Sequence, residues 1–237
     1  MNEIIKKYKN NGYVAIRIFS KEEYKIIEDY SLRWFYKLAG IAKKEWDLFP
    51  IEKYHHWSKK LKINHEEMAG FKFRYRKPSS EINKLLTSNI KLCSFFKKIG
   101  VSKYKVWDDG LGYLGFRIIR PNSNDGFPLH KKEWGVAKNL ISIWIPIIGK
   151  NPRETFSLIS KSNKSNYKYY FPKTSKFKNS DGRLIKSEEN KVKITNPNLL
   201  NNEVVIYSPK TLHSEKNIKS KDTRYNLEIR FNDLSLK

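Results

Sequence analysis

Near the end of the chain, residues 224–231 alternate between large apolar side chains and polar or charged ones. They read Arg224-Tyr225-Asn226-Leu227-Glu228-Ile229-Arg230-Phe231. This period of two predicts a β-strand with one face on an apolar core and a polar second face. Similar short stretches precede it, and we predict strands at 113–120, 140–148, 156–160 and 203–207.

The first part of the chain is predicted to be largely helical. A short strand from Val14 is followed by Ser20 and Glu23, which have capping-box spacing at the start of a helix that Gly40 ends. A second helix is expected at 80–99, and the aromatic and basic alternation at 71–76 predicts a strand with a basic outer face.

Many short strands after a helical portion favour a mainly β fold with N-terminal helices. We therefore expect one domain over 1–237, in which residues 1–105 pack on a jelly-roll core (a double-stranded β-helix, cupin-like) at 106–237. The long polar stretch at 161–202 is expected to act as a lid or binding segment.

Composition excludes several classes of protein. A formal charge of +24 accompanies 39% hydrophobic and 14% aromatic residues, so a buried core is possible and disorder is not expected. One cysteine, Cys93, excludes a disulfide scaffold, and no apolar run is long enough to span a membrane. The N-terminus has no signal-peptide pattern, which makes a cytoplasmic protein the default expectation. Because 38 of the 48 basic residues are scattered lysines, nucleic acid is an unlikely partner.

Two of the five histidines follow predicted strands. His130 comes after the strand at 113–120, and His213 comes after the strand at 203–207. Arg224 opens the final strand 11 residues after His213. This order is typical of a non-haem iron site, in which two histidines and a carboxylate leave open positions for a 2-oxo acid and O₂.

The sequence resembles the phytanoyl-CoA dioxygenase-like Fe(II)/2-oxoglutarate oxygenases, especially the branch of sugar and antibiotic biosynthesis. The resemblance spans roughly residues 10–232 and depends on short pieces in the same order. These pieces are Gly12-Tyr13-Val14-Ala15-Ile16, Phe116-Arg117-Ile118-Ile119-Arg120-Pro121-Asn122, Pro128-Leu129-His130, Ile143-Trp144-Ile145-Pro146-Ile147, Thr211-Leu212-His213 with Asn217, and Arg224-Tyr225-Asn226-Leu227-Glu228.

The resemblance implies an oxygenase that acts on a small polar substrate such as a saccharide, a nucleotide-sugar or a secondary metabolite. His130 and His213 would be the catalytic iron ligands, and Arg224 would bind the far carboxylate of the cofactor 2-oxoglutarate. Arg117, Trp134 and Lys132 are further candidates for substrate contact.

In the family, the first histidine begins a His-x-Asp motif. Here the sequence is His130-Lys131-Lys132, so Lys132 stands at the position of the aspartate. An ammonium has no lone pair and cannot bind iron. Three hypotheses remain open: Glu133 replaces the missing carboxylate as metal ligand, the two histidines bind metal with water or substrate completing the shell, or the site no longer performs the oxidation. In the last case the protein is a metal-free relative that binds an anion with Lys132, Arg224 and Arg117. The sequence predicts neither the substrate nor the oligomeric state.

Overall fold

A computed structural model describes residues 1–69, 75–107, 114–123, 125–135, 139–149, 156–172, 182–215 and 220–235. Within these ranges the chain is mainly β, with several helices and antiparallel sheets. The helices are α1 Asn2–Asn11, α2 Lys21–Ala39, α3 Tyr54–Lys60, α4 His65–Met68, α5 Ser80–Ser88, α6 Ile90–Ile99 and α7 Lys186–Glu189. Short 3₁₀ turns lie at Lys43–Leu48, Ile51–Lys53, Lys132–Trp134 and Ser162–Lys164.

The strands of the described residues form one large sheet and two small ones. The large sheet has the order β1-β10-β5-β12-β4-β2, with β3 also paired to β12. Its strands are β1 Tyr13–Ile16, β2 Tyr75–Arg76, β3 Tyr104–Val106, β4 Leu114–Ile119, β5 Leu140–Ile148, β10 Val204–Tyr207 and β12 Arg224–Asp233. The small sheets contain β6 Ser157–Ile159, β9 Ile194–Thr195 and β11 His213–Ser214, and the pair β7 Tyr169–Tyr170 and β8 Arg183–Leu184. The strand predictions in the second half are therefore confirmed to within one or two residues.

The helices cover one face of the large sheet. The apolar residues of β12, Tyr225, Leu227, Ile229 and Phe231, belong to the same buried cluster as Ile27, Phe35, Leu86 and Phe96 of the helices. Helix α2 begins as predicted, because the Ser20 side chain accepts from the Glu23 amide and the Glu23 carboxylate accepts from the Ser20 amide.

Two details of the N-terminal portion differ from prediction. The chain starts with helix α1, which sequence reasoning missed, and Gly12 ends this helix with a positive φ of 83°. The helix expected at 80–99 is two helices. Asn89 interrupts it in an extended conformation, and the Asn89 side chain caps α6 by accepting from the Leu92 amide at 2.9 Å. Most of the strand predicted at 71–76 lies outside the described residues.

The other face of the large sheet points to the small sheet of β6, β9 and β11. Trp144 of β5 and Tyr207 of β10 form a second apolar cluster with Phe156 and with Leu158 of β6. The polar side chains of β12 alternate with its core residues and share this inner face. The space between the two sheets is therefore apolar on one side and polar around β12.

Gly12 lies close to Thr211, two residues before His213. Its carbonyl accepts from the Thr211 hydroxyl at 2.7 Å, and a Cβ added to Gly12 would collide with Thr211 and lie 2.9 Å from Asn163. We expect Gly12→Ala to lower the free energy of unfolding by about 2 kcal/mol, through left-handed backbone strain and this collision. Gly40→Ala is the control for strain alone, since φ is 71° and no atom lies within 4 Å. If urea denaturation gave equal losses of unfolding free energy for Gly12→Ala and Gly40→Ala, the close contact of Gly12 with Thr211 would have no effect on stability.

Among the described residues, no helix is both long and apolar enough to cross a membrane.

Candidate ligand site between the two sheets

His130 and His213 lie side by side. Their backbones form an isolated antiparallel bridge, with two N–H to O=C hydrogen bonds of 3.0 Å. Their ring centroids are 4.2 Å apart. The structure thus brings together the two histidines that the sequence predicted as a pair, although 83 positions separate them in the chain.

Each histidine has a defined tautomer. The Nδ1 atom of His130 donates to the Pro128 carbonyl at 2.8 Å, and that of His213 donates to the Thr211 carbonyl at 2.8 Å. A carbonyl oxygen only accepts, so Nδ1 carries a proton in both rings, and in a neutral ring Nε2 then carries the lone pair. Burial lowers the pKa of His213 well below its ordinary value, and this ring is neutral at pH 7.

Lys132 begins the 3₁₀ turn that follows His130 and points into the same space. It is 8% exposed, and its ammonium donates to the Glu228 carboxylate of β12. The ammonium also lies 5.7 Å from the centroid of the Tyr207 ring, which packs against His213 at 4.8 Å. Burial lowers the pKa of Lys132 to about 8.

Glu228 lies among three cations. Besides Lys132, it accepts from Arg230 Nε at 2.9 Å and lies 3.9 Å from Arg117 Nη2. Burial opposes ionisation of Glu228, but Lys132 and the two arginines outweigh it and place its pKa well below the ordinary value. Sequence reasoning missed Glu228 as a site residue. The signal that could have found it is its position among the polar residues of the alternating final strand.

The residues do not fit an iron centre of two histidines and a carboxylate. Glu133 pairs with Lys131 at 3.3 Å, and its amide donates to the Pro209 carbonyl at 3.1 Å. Within the described ranges, no group of three His, Cys, Asp or Glu side chains could hold a metal ion. The carboxylate of Glu228 is engaged by cations, and Lys132 stands where the resemblance predicts the carboxylate ligand. The metal roles of His130, His213 and Glu133 stay predictions.

Arg224 is fully buried at the start of β12. Its Nη2 atom reaches the Glu215 carbonyl at 3.5 Å, and the guanidinium carbon lies 5.9 Å from the Trp144 ring centroid. Burial lowers the pKa of Arg224 to about 10, so it remains charged at neutral pH. Arg117 of β4 lies nearby, with its Nε atom 3.3 Å from Glu215 Oε1.

Two buried polar groups beside Arg224 make no hydrogen bond within the described part of the chain. They are the side-chain amide of Asn226, both of whose polar atoms are buried, and the indole Nε1 of Trp144. Desolvating such groups costs about 1–3 kcal/mol each when no partner is present. Asn226 and Trp144 therefore offer donors and an acceptor to a bound molecule.

Trp134 lies outside this group. Its ring stacks on Tyr169 at 4.7 Å with an interplanar angle of 9°, and it belongs to a separate cluster with Leu129 and Leu212. A Cβ on Gly182 would collide with Trp134, so the pair β7–β8 packs closely over this ring. The segment 161–202 thus contains short strands and a helical turn, and its described parts cover Trp134.

Comparison with known proteins gives a clear result for the fold. No family model matches the chain, and no curated protein matches it. The epimerase SnoN, solved with Fe³⁺, α-ketoglutarate and nogalamycin RO, superimposes with a TM-score of 0.60 at 10% identity, over 98% of this chain and 83% of that one. EvdO2 from Micromonospora carbonacea var. aurantiaca, solved with 2-oxoglutarate, gives 0.58 at 10% identity, over 98% and 91%.

The carbocyclase SnoK, a non-haem α-ketoglutarate-dependent enzyme, gives a TM-score of 0.55 at 13% identity, over 98% of this chain and 84% of that one. Because the sequence identities are this low, these similarities support an assignment of the fold but not of the activity. The more specific assignment to phytanoyl-CoA dioxygenase-like proteins stays a prediction. The chain has the fold of non-haem iron- and 2-oxoglutarate-dependent enzymes.

Proposed function

We propose that this protein is a metal-independent relative of the 2-oxoglutarate oxygenases that binds a small dicarboxylate, such as 2-oxoglutarate, inside a jelly roll. In this proposal the site no longer performs the iron-dependent oxidation. The proposal develops the third of the three hypotheses for Lys132 and replaces a saccharide or metabolite substrate with a small anion.

One observation carries the proposal, namely the charge of the side chains around the inner face of β12. Among the described residues, four cationic side chains, Arg117, Lys132, Arg224 and Arg230, lie there with two carboxylates, Glu215 and Glu228. In a buried, poorly solvated setting, a cluster with more cations than carboxylates favours an anionic ligand.

The position of Arg224 supports a carboxylate ligand. Its planar guanidinium can donate two parallel hydrogen bonds to a carboxylate, and the resemblance assigns this residue to the far carboxylate of a 2-oxo acid. EvdO2 has been solved with 2-oxoglutarate, which makes this compound the first probe. The Asn226 amide and the Trp144 indole lie beside Arg224 and supply further polar contacts.

Iron-dependent oxidation is the second candidate, and the histidine geometry favours it. Proton donation from each Nδ1 to a carbonyl leaves each Nε2 with the lone pair that a metal would bind. Against this candidate stands Lys132, because a buried ammonium at the third ligand position repels a divalent cation and offers it no electrons.

Titration calorimetry with 2-oxoglutarate in EDTA tests the proposal. We expect 2-oxoglutarate to bind without metal, with a dissociation constant that changes less than about twofold when Fe(II) is supplied anaerobically. Arg224→Met should weaken binding about 10- to 100-fold, because a hydrogen bond to a charged group contributes about 1.5–3 kcal/mol. Arg17→Met removes an exposed arginine and is the matched control.

Two outcomes would overturn the proposal. One is the absence of binding to 2-oxoglutarate, succinate and glutarate in either metal state. The other is binding that requires Fe(II) and is followed by O₂-dependent formation of succinate, which would establish the oxygenase. Should Arg224→Met fail to fold, the neutral diethyl ester of 2-oxoglutarate tests the same charge recognition on the unchanged protein.

A further inference from the structure

Lys132 and Glu228 join two parts of the molecule that are far apart in the sequence. Lys132 is two residues after His130, and Glu228 lies on β12 in the centre of the large sheet. Their ion pair spans 96 positions of sequence, and both residues are more than nine-tenths buried.

We propose that the Lys132–Glu228 ion pair holds a buried cation beside the two histidines, so that the wild-type site excludes divalent metal and gains a metal site when Lys132 is replaced by a metal-binding side chain. This inference goes beyond the proposed function, because it requires no organic ligand and is tested with the metal alone.

Charge and geometry together support the exclusion of metal. The Lys132 ammonium reaches Glu228 and lies over the Tyr207 ring, which itself contacts the ring of His213. A divalent cation between the histidines would therefore be close to a fixed positive charge in a medium of low dielectric constant. Glu228 does not offset the repulsion of the metal ion, because Arg230 and Arg117 also neutralise its charge.

The rest of the site remains arranged for two ligands. The backbone bridge fixes the histidines relative to each other, and the carbonyls of Pro128 and Thr211 fix their tautomers. Replacing Lys132 with Asp removes the positive charge and places a carboxylate two residues after His130. Glu228 keeps Arg230 and Arg117 as partners in that variant, so it is not left as an unpaired buried charge.

Cobalt(II) titration, followed by calorimetry and by visible d–d absorption, tests this inference. We expect no specific Co(II) binding by wild type. Lys132→Asp should bind one equivalent of Co(II), with an affinity at least about 100-fold higher than that of wild type. Loss of an outer-shell partner alone costs 10- to 100-fold in metal affinity, so a directly bound ligand should contribute no less. Lys132→Met removes the ammonium without adding a ligand, so its Co(II) affinity should rise less than that of Lys132→Asp. Combining Lys132→Asp with His213→Ala should abolish the increase in Co(II) affinity.

Stoichiometric binding of Co(II) by wild type, as tight as by Lys132→Asp, would overturn the inference. So would failure of a folded Lys132→Asp protein to bind. If Lys132→Asp does not fold, Lys132→His supplies a neutral donor at the same position and is judged by the same criterion. Binding of 2-oxoglutarate plays no part in these measurements, so a failure of the proposed function and a failure of this inference are separately visible.

Discussion

Replacing Glu228 with Gln is expected to lower the free energy of unfolding by about 3–5 kcal/mol, the cost of removing one partner from a buried ion pair. Gln keeps the shape of the side chain but removes the negative charge. Lys132, Arg230 and Arg117 would then face one another without the carboxylate that they share. Urea denaturation at pH 7 measures the loss.

Lys132→Met is the matched variant for this prediction, and it is expected to cost clearly less than Glu228→Gln. It removes one of three cations, and Glu228 retains Arg230 at 2.9 Å and Arg117 at 3.9 Å. Removing the carboxylate that all three cations contact is worse than removing one of the three cations, because the remaining like charges repel in a poorly solvated space. If Lys132→Met destabilised the protein as much as Glu228→Gln, the network would not be organised around Glu228.

Replacing Asp125 with Asn is expected to cost about 2–3 kcal/mol at pH 7. The Asp125 carboxylate accepts from the amide, Nε and Nη2 of Arg120 at 2.8–2.9 Å, and it lies 3.2 Å from Nε2 of His65. The bonds with Arg120 close the loop that leads from β4 to His130, and the contact with His65 connects this loop to helix α4. An amide makes fewer of them and carries no charge, so the loop should lose most of this attachment.

The effect of Asp125 should depend on pH. Burial alone would raise its pKa, but the hydrogen bonds from Arg120 and the neighbouring His65 ring outweigh burial and place the pKa well below the usual range. A carboxylate with a lowered folded-state pKa contributes stability above its unfolded pKa of about 3.9, and this stability is lost as the pH falls below that value. Wild type should therefore lose stability between pH 5 and 3 more steeply than Asp125→Asn.

Unfolding of both proteins in urea at pH 7, 5 and 3 checks the prediction. Asp29→Asn serves as the control, because Asp29 is 45% exposed and pairs with exposed Lys25 on the same helix, α2. Its effect should stay within about 0.5 kcal/mol at every pH. Parallel pH profiles for wild type and Asp125→Asn would show that Asp125 does not carry the acid sensitivity.

The strands of the second half could be predicted because their signal is local. An apolar residue at every second position indicates a strand whatever its partners are, and β5 and β12 follow this pattern over most of their length. The helix break at Asn89 was less accessible. Asn is tolerated within helices, and only the geometry of the cap shows that the chain ends one helix there and begins another.

For the candidate site, too, the sequence indicated some features and only the structure showed others. The sequence indicated His130, His213 and Arg224 by their places after or on strands, and the structure brings the histidines together. It also places Trp134 beneath Tyr169, away from Arg224 and Trp144. That difference could not be predicted, because the packing of β7 and β8 depends on side chains far apart in the chain.

By itself, the sequence determined the strand pattern, the order of the two histidines and the presence of a lysine where a metal-binding carboxylate is expected. Only the tertiary structure decided what that lysine does. Strand pairing between β12, β4 and β5 sets which residues share an inner face, and it brings Glu228, Arg117 and Arg230 around Lys132. Side-chain orientation along a strand is a local property, whereas the partner of a buried charge depends on registers formed across the whole sheet.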